Sequence, residues 1–234
     1  QMRICIPIRV KSLKEAEKQV KNAILLLKSV PQKPEILLEI WLDGLGGSDF
    51  EADLRKLIRV CKAPVIAVCR GKIERGDFKG SEKERIEILK NAVLAGAKMV
   101  DCGIRTDKKL VGDLKKVCRK HGAKLIISKH IWDKTPELPD LLKIFKSAKA
   151  LGADIVKIAT SAKKWSDNVV LFELVSRVSQ KGGEIIAVGM GECGRISRIG
   201  CPLLGSYLTY VALDEKSRTA EGQFTLKEIK ALSL

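Results

Sequence analysis

Short apolar runs rich in Ile, Val and Leu alternate along the chain with longer stretches whose apolar positions recur every three to four residues. The first pattern is that of a strand buried on both faces, the second that of an amphipathic helix with one face on a core. Strands are thereby predicted at residues 4–8, 36–41, 65–69, 99–102, 125–128, 155–159, 184–188 and 206–211. Each is followed by a predicted helix, at residues 12–28, 49–61, 81–94, 108–121, 138–151 and 169–181, then a short one at 195–199 and a closing one at 226–232. Ser12 with Glu15 and Ser81 with Glu84 have capping-box spacing, and Gly122 suits a helix C-cap.

Strict strand–helix alternation with short connections implies a parallel sheet, and eight units imply closure. The expected fold is α/β, a single (β/α)8 TIM barrel spanning residues 1–234 as one domain, with no linker or break in composition. A doubly wound open sheet is the alternative. It would normally carry a glycine-rich first turn, and neither G-x-G-x-x-G nor a Walker A sequence is present, so a nucleotide site is unsupported.

Composition narrows the function classes. Aromatics make up only 4% of the 234 residues, so the core must be built from Ile, Leu, Val and Ala. No apolar run approaches the ~20 residues of a membrane span, and no apolar leader opens the chain, so the expectation is a cytoplasmic protein without a membrane partner. Seven cysteines without Cys-x-x-Cys spacing argue against a disulfide framework. Cys118 and His121 lie three apart with no further ligands nearby, so no metal is expected. The net charge of +16 is spread over every amphipathic segment, without a basic block or interleaved aromatics. That distribution speaks against nucleic acid and for a small anionic ligand.

One residue breaks the apolar pattern. Lys157 stands inside the run Ile155-Val-Lys-Ile-Ala159, where a lysine is rarely placed without a use. Desolvation disfavours an ammonium and leaves an amine able to attack a carbonyl; the alternative is a structural lysine that snorkels or pairs with a carboxylate. In a barrel, chemistry sits at the C-terminal strand ends. Glu39, Trp41 and Asp43 alternate at the end of the second strand, and Arg70 and Glu74 follow the third. Ser128 and His130 follow the fifth, Met190 and Arg198 the seventh, and residues Thr219 to Gln223 form a loop past the eighth. His130, just after a strand and before Thr135-Pro136, is placed to act as a general acid and base, whereas His121 reads as a helix-end residue.

These segments, in this order, resemble type I 3-dehydroquinate dehydratases, the Schiff-base class of the shikimate pathway. The resemblance rests on Ile126-Ile-Ser-Lys-His130 with Thr135-Pro136, and on Gly152-Ala-Asp-Ile-Val-Lys157. It rests further on Met190-Gly191, Gly194, Ser197-Arg198 and Gly205-Ser206, and on Thr219-Ala-Glu-Gly-Gln223. It covers nearly the whole chain. It implies a cofactor-free hydro-lyase acting on 3-dehydroquinate, and a homodimer. It also implies that Lys157 forms the imine, that His130 moves the protons and that Glu74 orients His130. Arg198, Gln223 and Thr219 would hold the substrate carboxylate, and Glu39 and Arg70 its hydroxyl side, with Met190 and Tyr210 against the ring.

The chain also departs from the family pattern. Trp41 stands where an arginine is usual and offers one N–H in place of a guanidinium fork, and Glu221 stands where proline is usual. Asp101-Cys102-Gly103 lacks a second carboxylate often found there. Two other readings stay open: an aldolase-like Schiff-base barrel acting on a sugar phosphate, for which Gly189, Gly191 and Gly194 could form a phosphate nest, and a silent barrel serving as a binding module.

Overall fold

The computed structural model describes residues 2–9, 11–27, 34–45 and 50–232. Its strands are β1 (Arg3–Arg9), β2 (Glu35–Trp41), β3 (Val65–Val68), β4 (Met99–Gly103) and β5 (Lys124–Ile131), then β6 (Ile155–Ser161), β7 (Glu184–Met190), β8 (Thr209–Ala212) and the two-residue β9 (Phe224–Thr225). The helices are α1 (Leu13–Leu27), α2 (Phe50–Val60), α3 (Glu82–Leu94), α4 (Lys108–Lys120), α5 (Leu138–Ala150), α6 (Asp167–Ser179), α7 (Ser197–Leu203) and α8 (Leu226–Ala231). All ladders are parallel, in the order β7-β6-β5-β4-β3-β2-β1-β8-β9. The seam between β7 and β8 has no ladder; it is stitched by the Tyr207 N–H donating to the Ile185 carbonyl (2.7 Å) and the Ala187 N–H donating to Ser206 Oγ (3.3 Å). This is the expected (β/α)8 barrel, with β9 as an unforeseen addition.

Alternation along each strand sorts the side chains into two cores. Outward-facing residues such as Ile4, Ile6, Ile8, Leu38, Ile40, Val156 and Ile158 pack with Leu54, Leu89, Leu114 and Leu171 of the helices. Inward-facing Cys5, Leu37, Ile66, Met99, Ile126, Ile155, Ile186 and Leu208 fill the barrel bottom. One position further along the pleat the interior turns polar, with Glu39, Asp101, Ser128 and Lys157 all buried. The same period of two that builds the apolar floor therefore aims the polar set at the opposite end.

Most of the predicted helix starts hold, but α6 begins at Asp167 rather than Val169, and α7 runs from Ser197 to Leu203 rather than over 195–199. Ser81 accepts from the Glu84 N–H while Glu84 answers the Ser81 N–H, and Asp107 caps α4 through the Lys109 and Leu110 N–H groups. Ser12 Oγ accepts from the Glu15 N–H, but the Glu15 carboxylate reaches the Lys11 N–H instead of closing the box on Ser12. The expected ends at Lys28 and Asp49 lie outside the described residues. Strand boundaries needed correction: β5, β6 and β7 each run two or three residues past the apolar run that predicted them. His130 and Met190 thus sit within strands rather than after them, their polar or flexible side chains facing the mouth. All seven cysteines are free thiols, six of them buried.

Candidate active site

A cavity of ≈ 470 Å³ opens at the C-terminal end of the barrel, and its lining contains Lys157, His130 and Glu74, with Glu39, Trp41, Arg70, Met190, Arg198, Tyr210, Thr219 and Gln223, whereas Asp43 and Ser128, expected at the same rim, do not line it. Lys157 comes from the middle of β6, and its register partners are Ser128 on β5 and Ile186 on β7. Its Nζ donates to Glu39 Oε2 and Asp101 Oδ2, each at 3.2 Å, and lies 4.3 Å from the centre of the Tyr210 ring. The pairing with carboxylates that the sequence left open is present, and the lysine also lines the cavity.

Asp101 was missed as a site residue. It is 1% exposed, and its Oδ2 also accepts from Arg70 Nη2 at 2.8 Å. Burial would raise its carboxyl, but Arg70 and then Lys157 overcome that and hold it at about 2. The available signal was a carboxylate at an inward position of an otherwise apolar strand. Glu39 is equally engaged, accepting from Tyr210 Oη (2.7 Å), Trp41 Nε1 (2.9 Å) and Lys157. The single N–H that Trp41 could offer a ligand is thus already donated to Glu39. Tyr210 likewise contributes a hydroxyl as well as a ring face; burial and the neighbouring Glu39 push its phenol well above the ordinary value.

His130 Nδ1 lies 3.4 Å from Arg70 Nη1, and that nitrogen also lies 3.6 Å from Glu74 Oε1. Glu74 and His130 are therefore linked through one guanidinium. Glu74 comes close because residue 103 is glycine: a Cβ there would sit 2.6 Å from Glu74 Oε1. Burial, followed by the positive charges of Arg70 and Lys157, lowers the His130 value well below 6.5, Asp101 opposing them. A neutral imidazole with a free lone pair results, which is what a general base requires at neutral pH.

The other end of the cavity is built differently. Arg198, on α7, is 2% exposed and donates from Nη2 to the Glu221 carbonyl at 3.0 Å, while its Nε has no partner among the described residues. Burial and the nearby Arg195 and Arg218 lower its guanidinium to about 10, so it stays a cation at neutral pH without a carboxylate beside it. Gln223 is fully buried; its Oε1 accepts from the Thr219 N–H (2.9 Å) and lies 3.4 Å from Thr219 Oγ1, leaving Nε2 without a partner. This loop is pressed onto the end of β7 through the Gly191 N–H and the Glu221 carbonyl (3.3 Å). Gly222 permits the approach, with φ of +73° and a hypothetical Cβ only 2.3 Å from the Gly191 carbonyl oxygen. A buried cation and a buried amide N–H that line one cavity without partners among the described residues call for an anion.

Other residues at the mouth were not anticipated, among them Arg9, Arg75, Trp132, Ser161 and Lys163. Trp132 stacks on His130, Arg75 lies over Trp132, and Arg9 lies over Trp41.

The family model for type I 3-dehydroquinase matches residues 4–233. The 3-dehydroquinate dehydratase of Methanococcus maripaludis is 33% identical over 231 residues, covering 98% of this chain and 97% of that protein. That of Dehalococcoides mccartyi is 37% identical over 191 residues, 82% of either chain. Among solved structures, type I 3-dehydroquinate dehydratase from Clostridium difficile superposes with a TM-score of 0.85 at 24% identity, covering 99% of this chain and 90% of that one. The Aquifex aeolicus enzyme gives 0.80 at 24% identity, covering 99% and 97%. Sequence and architecture agree over the whole barrel: the chain belongs to the type I 3-dehydroquinase family.

Proposed function

We infer that this chain is a hydro-lyase of the shikimate pathway, removing water from 3-dehydroquinate to give 3-dehydroshikimate, with Lys157 as its nucleophile. Family membership and the curated relatives support the reaction. The observation that carries the assignment of roles is the pairing, in one cavity, of a buried lysine and a neutral histidine with an unpaired buried guanidinium.

Each role follows from what the side chain can do. The Arg198 guanidinium and Gln223 Nε2 receive the substrate carboxylate, supplying the anion that their burial lacks, and Thr219 holds Gln223 in place. Lys157 gives up a proton and attacks the C3 ketone; the carbinolamine loses water to form an imine. His130 removes a proton from C2, and the electron pair moves into the protonated imine to form an enamine. The enamine pushes out the C1 hydroxyl, which leaves as water with the proton that His130 returns. Hydrolysis of the conjugated imine frees Lys157, so one water is lost overall. Glu39 and Asp101 flank the amine through these proton changes, Arg70 and Glu74 hold the charge around His130, and Met190 and Tyr210 line the path of the ring.

A homodimer, one domain over residues 1–234 and a cytoplasmic location belong to the same reading; among the described residues no helix is long and apolar enough to cross a membrane. Light scattering on the purified chain checks the dimer.

The decisive experiment is intact mass after incubation with 3-dehydroquinate and borohydride, for the wild type and Lys157→Ala. A substrate-sized adduct on the wild type alone establishes imine and nucleophile together. An adduct formed only with phosphorylated ketoses would move the assignment to an aldolase-like barrel.

A further inference from the structure

The resemblance gives the orienting of His130 to Glu74, but Glu74 reaches the imidazole only through Arg70 Nη1, at one ring nitrogen, so the plane of the ring is left to be fixed. We propose that Trp132, clamped by the guanidinium of Arg75, is the positioning residue that fixes it. The inference rests on His130 being the base in the reaction just described.

A positioned base works only within roughly 10–20° of the productive orientation. Arg70 cannot supply that alone. Its contact with His130 Nδ1 is long, at 3.4 Å, and the same guanidinium is committed to Asp101 at 2.8 Å and to Glu74 at 3.6 Å. One long contact at one nitrogen leaves the imidazole free to turn about its Cβ–Cγ bond. Trp132 lies two residues further along the chain, in the bend just past the end of β5. Its indole is nearly parallel to the imidazole, with an interplanar angle of 12° and centroids 5.2 Å apart. Parallel, offset stacking restricts the rotation that the hydrogen bond leaves free.

The indole is itself held. Arg75 Cζ lies 4.0 Å from the centre of the Trp132 ring. Arg75 has a left-handed backbone, φ 59° and ψ 30°, which residues other than glycine seldom adopt and which tends to persist where the side chain has a task. Its carbonyl accepts from Arg9 Nη2 at 3.2 Å, and Arg9 also pairs with Asp77 at 3.1 Å and lies 4.7 Å from the centre of the Trp41 ring. The mouth is thus bridged by two indole–guanidinium pairs, one ending on Glu39 through Trp41 and the other on His130 through Trp132.

Trp132 also shields the imidazole from water. The charged groups around His130 are Arg70 at the end of β3, Glu74 and Arg75 in the following loop, Asp101 on β4, Lys129 on its own strand and Lys157 on β6. Truncating the indole leaves all of these in place and changes only shielding and orientation.

The test compares Trp132→Ala, Trp132→Phe and Arg75→Ala with wild type, by kcat, KM, the pH dependence of kcat/KM, borohydride trapping and NMR titration of the His130 ring in the free enzyme. A positioned base contributes about 10²–10⁴-fold, so Trp132→Ala should lower kcat by about 10- to 100-fold, with KM changed less than about threefold. Its His130 titration and acid limb should move up toward 6.5, while trapping at Lys157 persists. Trp132→Phe keeps a stacking ring and should restore most of kcat, and Arg75→Ala should fall between. Folded Trp132→Ala with wild-type kcat and an unmoved His130 titration overturns the proposal, as does Trp132→Phe being as impaired as Trp132→Ala. Should Trp132→Ala not fold, Arg75→Ala, exposed in the structure, decides: unchanged kcat and titration overturn the clamp. A wild type that neither turns over nor traps would instead sink the dehydratase reading, and the NMR titration would still judge the clamp.

Discussion

At the Lys157 end of the cavity each buried charge has an opposite charge within reach; at the Arg198 end a buried guanidinium has, among the described residues, only a backbone carbonyl. Lys157 touches Glu39 and Asp101, and Asp101 touches Arg70. Arg198 meets the Glu221 carbonyl and two repelling arginines. The first end is complete before substrate arrives and must be rearranged by chemistry; the second is incomplete until an anion arrives. In the proposed reaction the ketone goes to the first end and the carboxylate to the second, and the difference makes opposite forecasts for mutations at the two ends.

The largest effect belongs to the nucleophile. Lys157→Ala should lower kcat by about 10⁴- to 10⁶-fold, as removal of a nucleophile does in other covalent mechanisms. Following the conjugated product by its ultraviolet absorbance checks it, and residual activity within about tenfold of wild type would end the Schiff-base assignment.

Asp101→Asn tests the balanced end. It removes one anion from between two buried cations, and breaking such a pair costs about 3–5 kcal/mol. Urea unfolding should show the loss as a lower midpoint with an unchanged slope. Arg198→Met tests the other end and should go the opposite way. Deleting a buried, unpaired cation should leave the resting protein about 1 kcal/mol more stable, the usual exchange at functional sites. The same change should lower kcat/KM about 100-fold, because a charge-assisted pair with the carboxylate is lost. If Arg198→Met instead destabilised the fold as much as Asp101→Asn, the contrast between the two ends would be wrong.

Much of this was legible in the sequence because period and position carry it. The apolar runs located all eight barrel strands, and the position of active sites in such barrels pointed to Glu39, Arg70 and His130 at one rim, with Lys157 inside the sixth strand. What escaped has physical causes. Strand ends were cut short where polar residues begin, since hydrophobicity marks burial, and the mouth of a barrel is polar even where the ladder continues. Asp101 lies in a predicted strand, but its link to Arg70 past the end of β3 and to Lys157 on β6 joins three segments far apart in sequence, which no local pattern encodes. Trp41 read as a possible donor to substrate, and only geometry shows its N–H on Glu39. The Arg75–Trp132–His130 stack depends on one left-handed residue that carries no sequence signal.

The smallest predicted effect separates the two ends by pH. The balanced end should set the acid limb. Burial first, then Arg70 and Lys157, keep His130 neutral to well below 6.5, so kcat/KM should stay level as pH falls from 7.5 to about 6.5 and decline only beneath it. Asp101, held at about 2, remains ionised throughout and adds nothing to that limb. Arg70→Gln removes the second-largest cause and should move the limb upward without bringing it to 6.5, burial being the larger cause. Stability follows the same sign: the folded value lies below the unfolded one, so the unfolded chain binds the proton first. Stability therefore declines as pH drops through 6.5 toward the folded value. The Arg198 end should be silent over this range. Its guanidinium stays charged up to about 10, so KM should be level from pH 6 to 8. An acid limb at or above 6.5 would mean a solvated imidazole, and a KM rising within that window would mean that a group other than Arg198 holds the carboxylate.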